Sequence, residues 1–237
     1  MSLKYKRLLV KLSGEQLAGE QQGGIDTKLI AWIAGELKKA ADEGAQIVVV
    51  VGGGNFIRGK QLQSELVTRA TADSAGLLST LLNGLIVGDV FNASGLPTRV
   101  LSNVVAEQIA DTYTYRRAMN HLEKGRVVVV AGGIGRPYFT TDTGSVNLAL
   151  ELGCEVVCKT TKVDGVYDKD PTKFDDAVKI ERMTFQQAVS DGAIQVMDKA
   201  ALGLAMEEKM PVMVFDLGTE GNIRRAATGE AVGTLIR

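Results

Sequence analysis

Two runs of β-branched residues dominate the hydrophobic pattern: Ile47 to Val51, ended by Gly52-Gly53-Gly54, and Val127 to Val130, ended by Gly132-Gly133. Apolar runs without polar alternation predict strands buried on both faces, the kind found in parallel sheets covered by helices. A first strand is predicted at Lys6–Lys11 (KRLLVK), followed by a turn, LSGE, carrying a hydroxyl and a glycine. Ile30, Ile33, Ala34, Leu37 and Ala41 then fall near helical spacing, which predicts a helix from Asp26 or Thr27 to Glu43 with Gly44 as its stop. A long, largely buried helix is predicted over Thr71–Ala93, ended by Gly95 and Pro97. Further strands are predicted at Thr98–Leu101, Arg126–Val130, Cys154–Cys158, Val212–Phe215 and the closing Gly-Thr-Leu-Ile run at 233–236. Helices are expected at Thr114–Lys124, Gly144–Leu152, Thr184–Ser190, Asp198–Lys209 and Asn222–Ala227. With no repeat or linker between them, these elements predict a single α/β domain over residues 1–237, with parallel layering from end to end.

Composition narrows the function classes. A chain of 237 residues, 45% hydrophobic, can bury a large core, and a net charge of −1 with interspersed signs gives no nucleic-acid footprint or membrane-surface patch. The start, MSLKYKRLLVKLSGE, is too charged for a signal peptide, and no apolar run is expected to reach the length of a membrane span, so the expected location is cytoplasmic. Cys154 and Cys158 lie in one predicted strand, about 13 Å apart, so they cannot bridge and read as buried thiols. The single histidine, His121, falls at a helix end and reads as a partner of the helix dipole. Zinc sites and Ser-His-Asp chemistry are therefore disfavoured.

Parallel sheets bind ligands beyond the carboxyl ends of their strands, and three such ends suit phosphate. The first is Lys11 with Ser13 and Gly14; the second is Gly52–Gly54, whose N–H groups can turn toward an anion, with Arg58; the third is Ala131–Thr143, AGGIGRPYFTTDT, where Thr140, Thr141 and Thr143 stand near a helix start. The run from Gly54 to Gly59-Lys60 matches the first seven positions of a P-loop but has Gln61 where a hydroxyl must hold magnesium, and neither glycine cluster completes GxGxxG. Simpler readings stand beside each of these: Lys11 as a snorkelling strand-tip lysine, Asp73 as a first-turn acid instead of an acceptor for sugar hydroxyls, the threonines as an N-cap cluster, and Lys159–Pro171 as a solvated hairpin. One phosphate would not need three such ends. Two phosphorylated ligands facing each other would, which points to phosphoryl transfer, with Lys11, Lys159 and Lys162 supplying positive charge and Asp142, Asp164, Asp170 and Asp198 orienting lysines or holding Mg²⁺ through water.

Six motifs in order, KLSGE, VVVGGGNFIRG, RATAD, GRPYFTTDT, KTTKVDGVYDKDP and QVMDKAA, resemble those of the bacterial UMP kinases within the amino-acid-kinase superfamily, over essentially the whole chain. The resemblance implies a three-layer αβα sandwich with a mainly parallel sheet, transfer of the ATP γ-phosphoryl group to UMP in pyrimidine nucleotide biosynthesis, Mg²⁺ carried by ATP without direct protein ligands, and a homohexamer. It implies an acceptor-binding N-terminal part and an ATP-binding part from about residue 154. By position it implies that Lys11, Leu12, Ser13 and Gly14 meet the ATP phosphates with Gly54 and Arg58, and that Thr161, Tyr167 and Asp170 line the adenosine. Gly53, Asp73 and the loop Ile134, Gly135, Arg136, Pro137, Tyr138, Phe139, Thr140 and Thr141 would receive UMP. Lys11, Lys159 and Lys162 would act on the moving group, with Asp198 orienting the catalytic lysine. Where the family usually has Gly-Thr-Gly-Asn-Pro-Phe-Phe, this chain reads Gly133-Ile-Gly-Arg-Pro-Tyr-Phe139, and residues 102–112 also diverge. Arginine donates but cannot accept, so its pattern toward a pyrimidine edge differs from asparagine's. A sister kinase acting on another small phosphate or carboxylate, and a non-catalytic nucleotide-binding or storage protein, share the fold and remain alternatives.

Overall fold

The computed structural model describes residues 2–57, 62–190 and 196–237. Eleven strands in this part form a nine-stranded sheet of order β4-β3-β5-β2-β1-β6-β10-β11-β9 and a separate β7-β8 hairpin. The strands are β1 Arg7–Leu12, β2 Gln46–Val51, β3 Thr98–Ser102, β4 Asp111–Thr112, β5 Val127–Ala131, β6 Val156–Thr161, β7 Val166–Tyr167, β8 Lys179–Ile180, β9 Arg182–Met183, β10 Val212–Asp216 and β11 Thr234–Ile236. The described helices are α1 Gly14–Leu17, α2 Thr27–Asp42, α3 Arg69–Ala93, α4 Tyr115–Glu123, α5 Thr141–Glu151, α6 Phe185–Ser190, α7 Lys199–Glu207 and α8 Asn222–Thr228.

The layers follow from the two-residue period of the strands. Leu8, Val10 and Leu12 of β1, with Val49 and Val51 of β2, pack under α2, α3 and α8 through Ile30, Ile33, Leu37, Val87, Phe91 and Ile223. Leu9, Val48, Val50 and Val157 face the other way, against Ala118, Leu122, Val146, Ala149, Ala201 and Leu202 of α4, α5 and α7. Helices thus cover both faces, as expected of a three-layer α/β sandwich.

Four local expectations need correction. Parallel pairing does not run from end to end, because β11 returns antiparallel to β10. The Ser13-Gly14 segment opens the short helix α1 with Ser13 as N-cap, instead of forming a plain turn. Helix α5 starts at Thr141, three residues before Gly144, because the Thr140 hydroxyl caps the N–H groups of Asp142 and Thr143. The strand expected over Cys154–Cys158 lies at Val156–Thr161 instead, which carries Lys159 and Thr161 into the sheet.

Helix α3 is long and apolar enough to cross a membrane by length and composition, contrary to the expectation of no such run. Its packing explains the apolar character: Ala72, Leu81, Val87 and Phe91 are buried in the core, and so are the polar Ser79, Thr80 and Asn83. His121 lies in the last turn of α4, at the expected helix end. Burial, then the charges of Arg126, Arg99 and Lys124, lower its pKa, and its Nδ1 accepts from Arg126 Nη1 at 3.1 Å.

Candidate active site

The chain leaves β1 for β2 on one side and later adds β6 on the other, so the carboxyl end of β1 is a topological switch point, where open α/β sheets form their ligand crevice. Lys11 and Lys159 are register partners there. The alternation that sends Leu9 and Val157 toward α5 sends these lysines the same way. Two ammonium groups on adjacent strands repel unless an anion lies between them. Asp142, in the first turn of α5, is that anion: its Oδ1 is 3.1 Å from Lys11 Nζ and its Oδ2 is 2.8 Å from Lys159 Nζ. Lys159 also donates to the Val196 carbonyl. The side chains are 8%, 16% and 14% exposed for Lys11, Lys159 and Asp142, so solvent screens them little.

Burial is the largest influence on Asp142 and acts to raise its pKa, but the two lysine charges outweigh it and hold the group below the ordinary carboxylate value. Burial, the leading influence on Lys159, lowers its pKa, helped by Lys11 and opposed by Asp142. The Lys11 contact is off the hydrogen-bond direction, leaving Asp142 Oδ1 a buried acceptor without an aligned donor among the described residues.

Asp198 forms no direct ion pair with a lysine among the described residues, although its charge acts to raise the Lys159 pKa against the lowering by burial. It caps α7 at Ala201 N (3.0 Å) and accepts from the hydroxyls of Thr140 (2.5 Å) and Thr143 (2.9 Å), joining the starts of α5 and α7. The acid between the lysines is Asp142, which the motif comparison left out of the catalytic set. An acidic residue in the first turn of a helix facing two lysine-tipped strands was the available signal, but only the register of β1 and β6 shows that the strands are neighbours.

The glycine loops are built for close approach. A Cβ on Gly53 would lie 2.8 Å from Gly76 O and Ser79 Cβ, and one on Gly14 would lie 2.5 Å from Gly54 N and Asn55 Oδ1. Gly52–Gly54 do not adopt positive φ, and Gly52 N–H donates to Leu12 O at 2.8 Å, so that donor is not free for an anion as expected. Leu12 itself is fully buried in the core, and it meets the crevice only through its backbone. Ser13 turns its N–H and hydroxyl onto Gln16 Oε1, each at 3.0 Å. Arg58 and Lys60 lie outside the described residues.

In the third loop, Gly132, Gly133 and Gly135 adopt positive φ, as does Tyr138 at 70°. That conformation costs a non-glycine residue about 1–2 kcal/mol. Tyr138 N–H donates to Asp73 Oδ2 at 2.8 Å, and its ring lies 5.7 Å from the Arg69 guanidinium, whose Nε is 2.8 Å from both Asp73 oxygens. Asp73 thus stands beside Tyr138 at the mouth of this loop. Thr140 uses its hydroxyl on Asp198, while Ile134, Pro137 and Thr141 are half-buried and Arg136 and Phe139 exposed.

On the far side of β6 lies a cavity of about 400 Å³ lined by Lys159, Thr161, Val163, Gly165, Val166, Tyr167, Asp170 and Pro171 among others. The Lys159–Pro171 segment, for which a solvated hairpin is the simpler reading, lines this cavity, with Val166 and Tyr167 of β7 in its wall. Tyr167 OH donates to Asp164 at 2.5 Å, and Thr161 Oγ1 to Val163 O at 2.5 Å. Lys162 does not join Lys159. It is exposed and borders a second cavity of about 490 Å³ with Glu15, Gly54, Asn55 and Phe56. Among the described residues no three His, Cys, Asp or Glu side chains converge on a metal position.

A lysine pair braced by an aspartate, with two glycine-ended strands on one side and a cavity that Lys159 itself lines on the other, suits the neutralisation of a phosphoryl group passing between two ligands. A family model described as the amino acid kinase family matches residues 6–216. The chain belongs to the amino acid kinase family. Within it, the chain is similar to solved UMP kinases: that of Bacillus anthracis is 36% identical with a TM-score of 0.93, covering 98% of this chain and 96% of that one. The UMP kinase of Ureaplasma parvum is 28% identical with a TM-score of 0.89, covering 99% of each chain. The uridylate kinase of Archaeoglobus fulgidus is 28% identical with a TM-score of 0.74, covering 97% of this chain and 99% of that one.

Proposed function

We infer that this amino acid kinase family member is a UMP kinase, transferring the γ-phosphoryl group of ATP to UMP to give UDP. The observation that carries this reading is the Lys11–Asp142–Lys159 arrangement at the switch point, supported by likeness to UMP kinases over nearly the full chain. An oxygen of the UMP phosphate attacks the γ-phosphorus and ADP leaves, so no side-chain nucleophile is required. Lys11 and Lys159 sit where they neutralise charge that spreads over the equatorial oxygens, and Asp142 keeps both ammonium groups aimed. ATP is assigned its adenosine in the cavity by Val163, Tyr167 and Asp170, while UMP is assigned to the loops around Gly53, Asp73 and residues 134–141.

Mg²⁺ carried by the ATP phosphates would supply further charge neutralisation there. A homohexamer is the proposed assembly: Leu78 and Leu82 of α3 are exposed, as are Val105 and Ile109, four apolar side chains suited to a subunit contact. The buried free thiols suit a reducing compartment, which supports a cytoplasmic enzyme.

A coupled assay with ATP, Mg²⁺ and each nucleoside monophosphate tests the reading; UMP is expected to be the best acceptor, and no turnover of UMP refutes it. Lys11→Ala is expected to lower kcat far more than it weakens UMP binding, and an equal loss of both would contradict a role in the transition state.

A further inference from the structure

We propose that Asn83 is a positioning residue that aims the Gly53 N–H at the phosphate of the acceptor nucleotide. Asn83 is fully buried in α3, yet its Nδ2 reaches Gly52 O at 2.6 Å and Asn55 Oδ1 at 2.7 Å. Asn55 Nδ2 returns a bond to Asn83 Oδ1 at 3.0 Å and holds Gly24 O at 2.7 Å. The Gly52–Gly53 peptide is trans and planar, so its N–H points opposite to its carbonyl. With the carbonyl drawn inward onto a buried amide, the Gly53 N–H faces the open side of the loop, where it has no hydrogen-bond acceptor among the described residues.

The rest of the peptide's surroundings leave it little freedom. Gly52 N–H is held by Leu12 O at 2.8 Å, and the Gly53 Cα sits so close to α3 that a Cβ would meet Gly76 O and Ser79 Cβ. The same helix holds the other glycine loop through Thr80 Oγ1, which accepts from Gly132 N–H at 2.7 Å. Asn83 touches neither nucleotide in this scheme. It acts through the peptide plane, and the inference rests on the assignment of UMP to the Gly53 loop.

The test compares a ligand that has the phosphate with one that lacks it. Asn83→Leu removes the donor to Gly52 O; kcat/KM for UMP is expected to fall roughly ten- to a hundredfold, the value of a hydrogen bond to a charged group, while competitive inhibition by uridine and the KM for ATP stay unchanged. Equal weakening of UMP and uridine, or no change in UMP kinetics, would overturn the proposal. A second measurement needs no variant. In the [¹⁵N]glycine-labelled protein the Gly53 amide resonance is expected to move on adding UMP and to stay in place with uridine. A protein that turns over UMP while that resonance ignores it refutes this inference alone, whereas a protein that does not turn over UMP refutes the functional assignment as well.

Discussion

Replacing Asp142 by Asn keeps the shape of the side chain and removes the one charge that separates Lys11 from Lys159. The two ammonium groups, 3.1 Å and 2.8 Å from the carboxylate oxygens, would then face each other in a site where their side chains are 8% and 16% exposed. Breaking a buried ion pair from one side costs about 3–5 kcal/mol, and the lower end applies because Lys159 can relieve the repulsion by losing its proton. At about 3 kcal/mol, with 2–4 °C per kcal/mol for a chain of this size, Tm should fall by roughly 6–12 °C. The kinetic signature is more specific. Lys159 already titrates below an ordinary lysine, chiefly through burial, and Asp142 is the main influence raising it. Without that carboxylate its pKa drops further, so kcat of Asp142→Asn should fall about 10²–10³-fold at neutral pH and recover partly as the pH is lowered and Lys159 regains its proton. Coupled assays across pH with parallel thermal melts read both effects. A variant with the parent's kcat, Tm and pH profile would refute the bridging role of Asp142.

Other outcomes follow from the same geometry. Asp142 is held below the ordinary carboxylate value of 3.8, so its stabilisation is present above that value and lost as pH falls through its folded pKa; Lys159, lowered from 10.5, acts in the same direction because the unfolded chain binds its proton more tightly. Tm should therefore decline in acid as Asp142 takes up its proton, and that acid limb should be absent in Asp142→Asn. The Lys159 contribution changes only between its lowered folded pKa and 10.5. Burial raises both the Cys154 and Cys158 thiols to about 12, so a disulfide reagent at pH 8 should label the native protein negligibly and the unfolded protein fully; rapid native labelling would contradict their burial. Gly53→Ala puts a methyl 2.8 Å from the α3 backbone and should cost about 1–3 kcal/mol together with most UMP turnover, as melts and the coupled assay would show. Placing Asp at both Leu78 and Leu82 should reduce the assembly seen by light scattering, and an unchanged mass would remove that face as a subunit contact.

Much of the layering was legible because valine runs and glycine stops are local signals. The runs ending at Gly52 and Gly132 predicted β2 and β5, and the apolar spacing around Ile33 predicted α2 to within a residue at each end. Boundaries failed where a side chain from elsewhere intervened. Helix α5 begins early because Thr140 caps it, and β6 lies further along because its partners β1 and β10 fix its register. The P-loop near-miss shows the limit of reading glycines alone: Gly52 and Gly53 permit close packing against α1 and α3, and Gly52 spends its N–H on Leu12 O, so the loop is not a multi-donor N–H cradle.

The chain's own pattern was enough for the fold class and for the strand ends that carry chemistry, since burial periodicity and backbone freedom are properties of short stretches. It was also enough to nominate Lys11 and Lys159. It was not enough to pair them. That they are register neighbours, that Asp142 stands between them while Asp198 joins two helix starts, and that Asn83 reaches Gly52 across 31 residues all depend on contacts between distant segments. Such contacts are set by how the β1, β2 and β6 edges align and how α3 and α5 pack over them, and hydrogen bonding and ion pairing then select which acid faces which base.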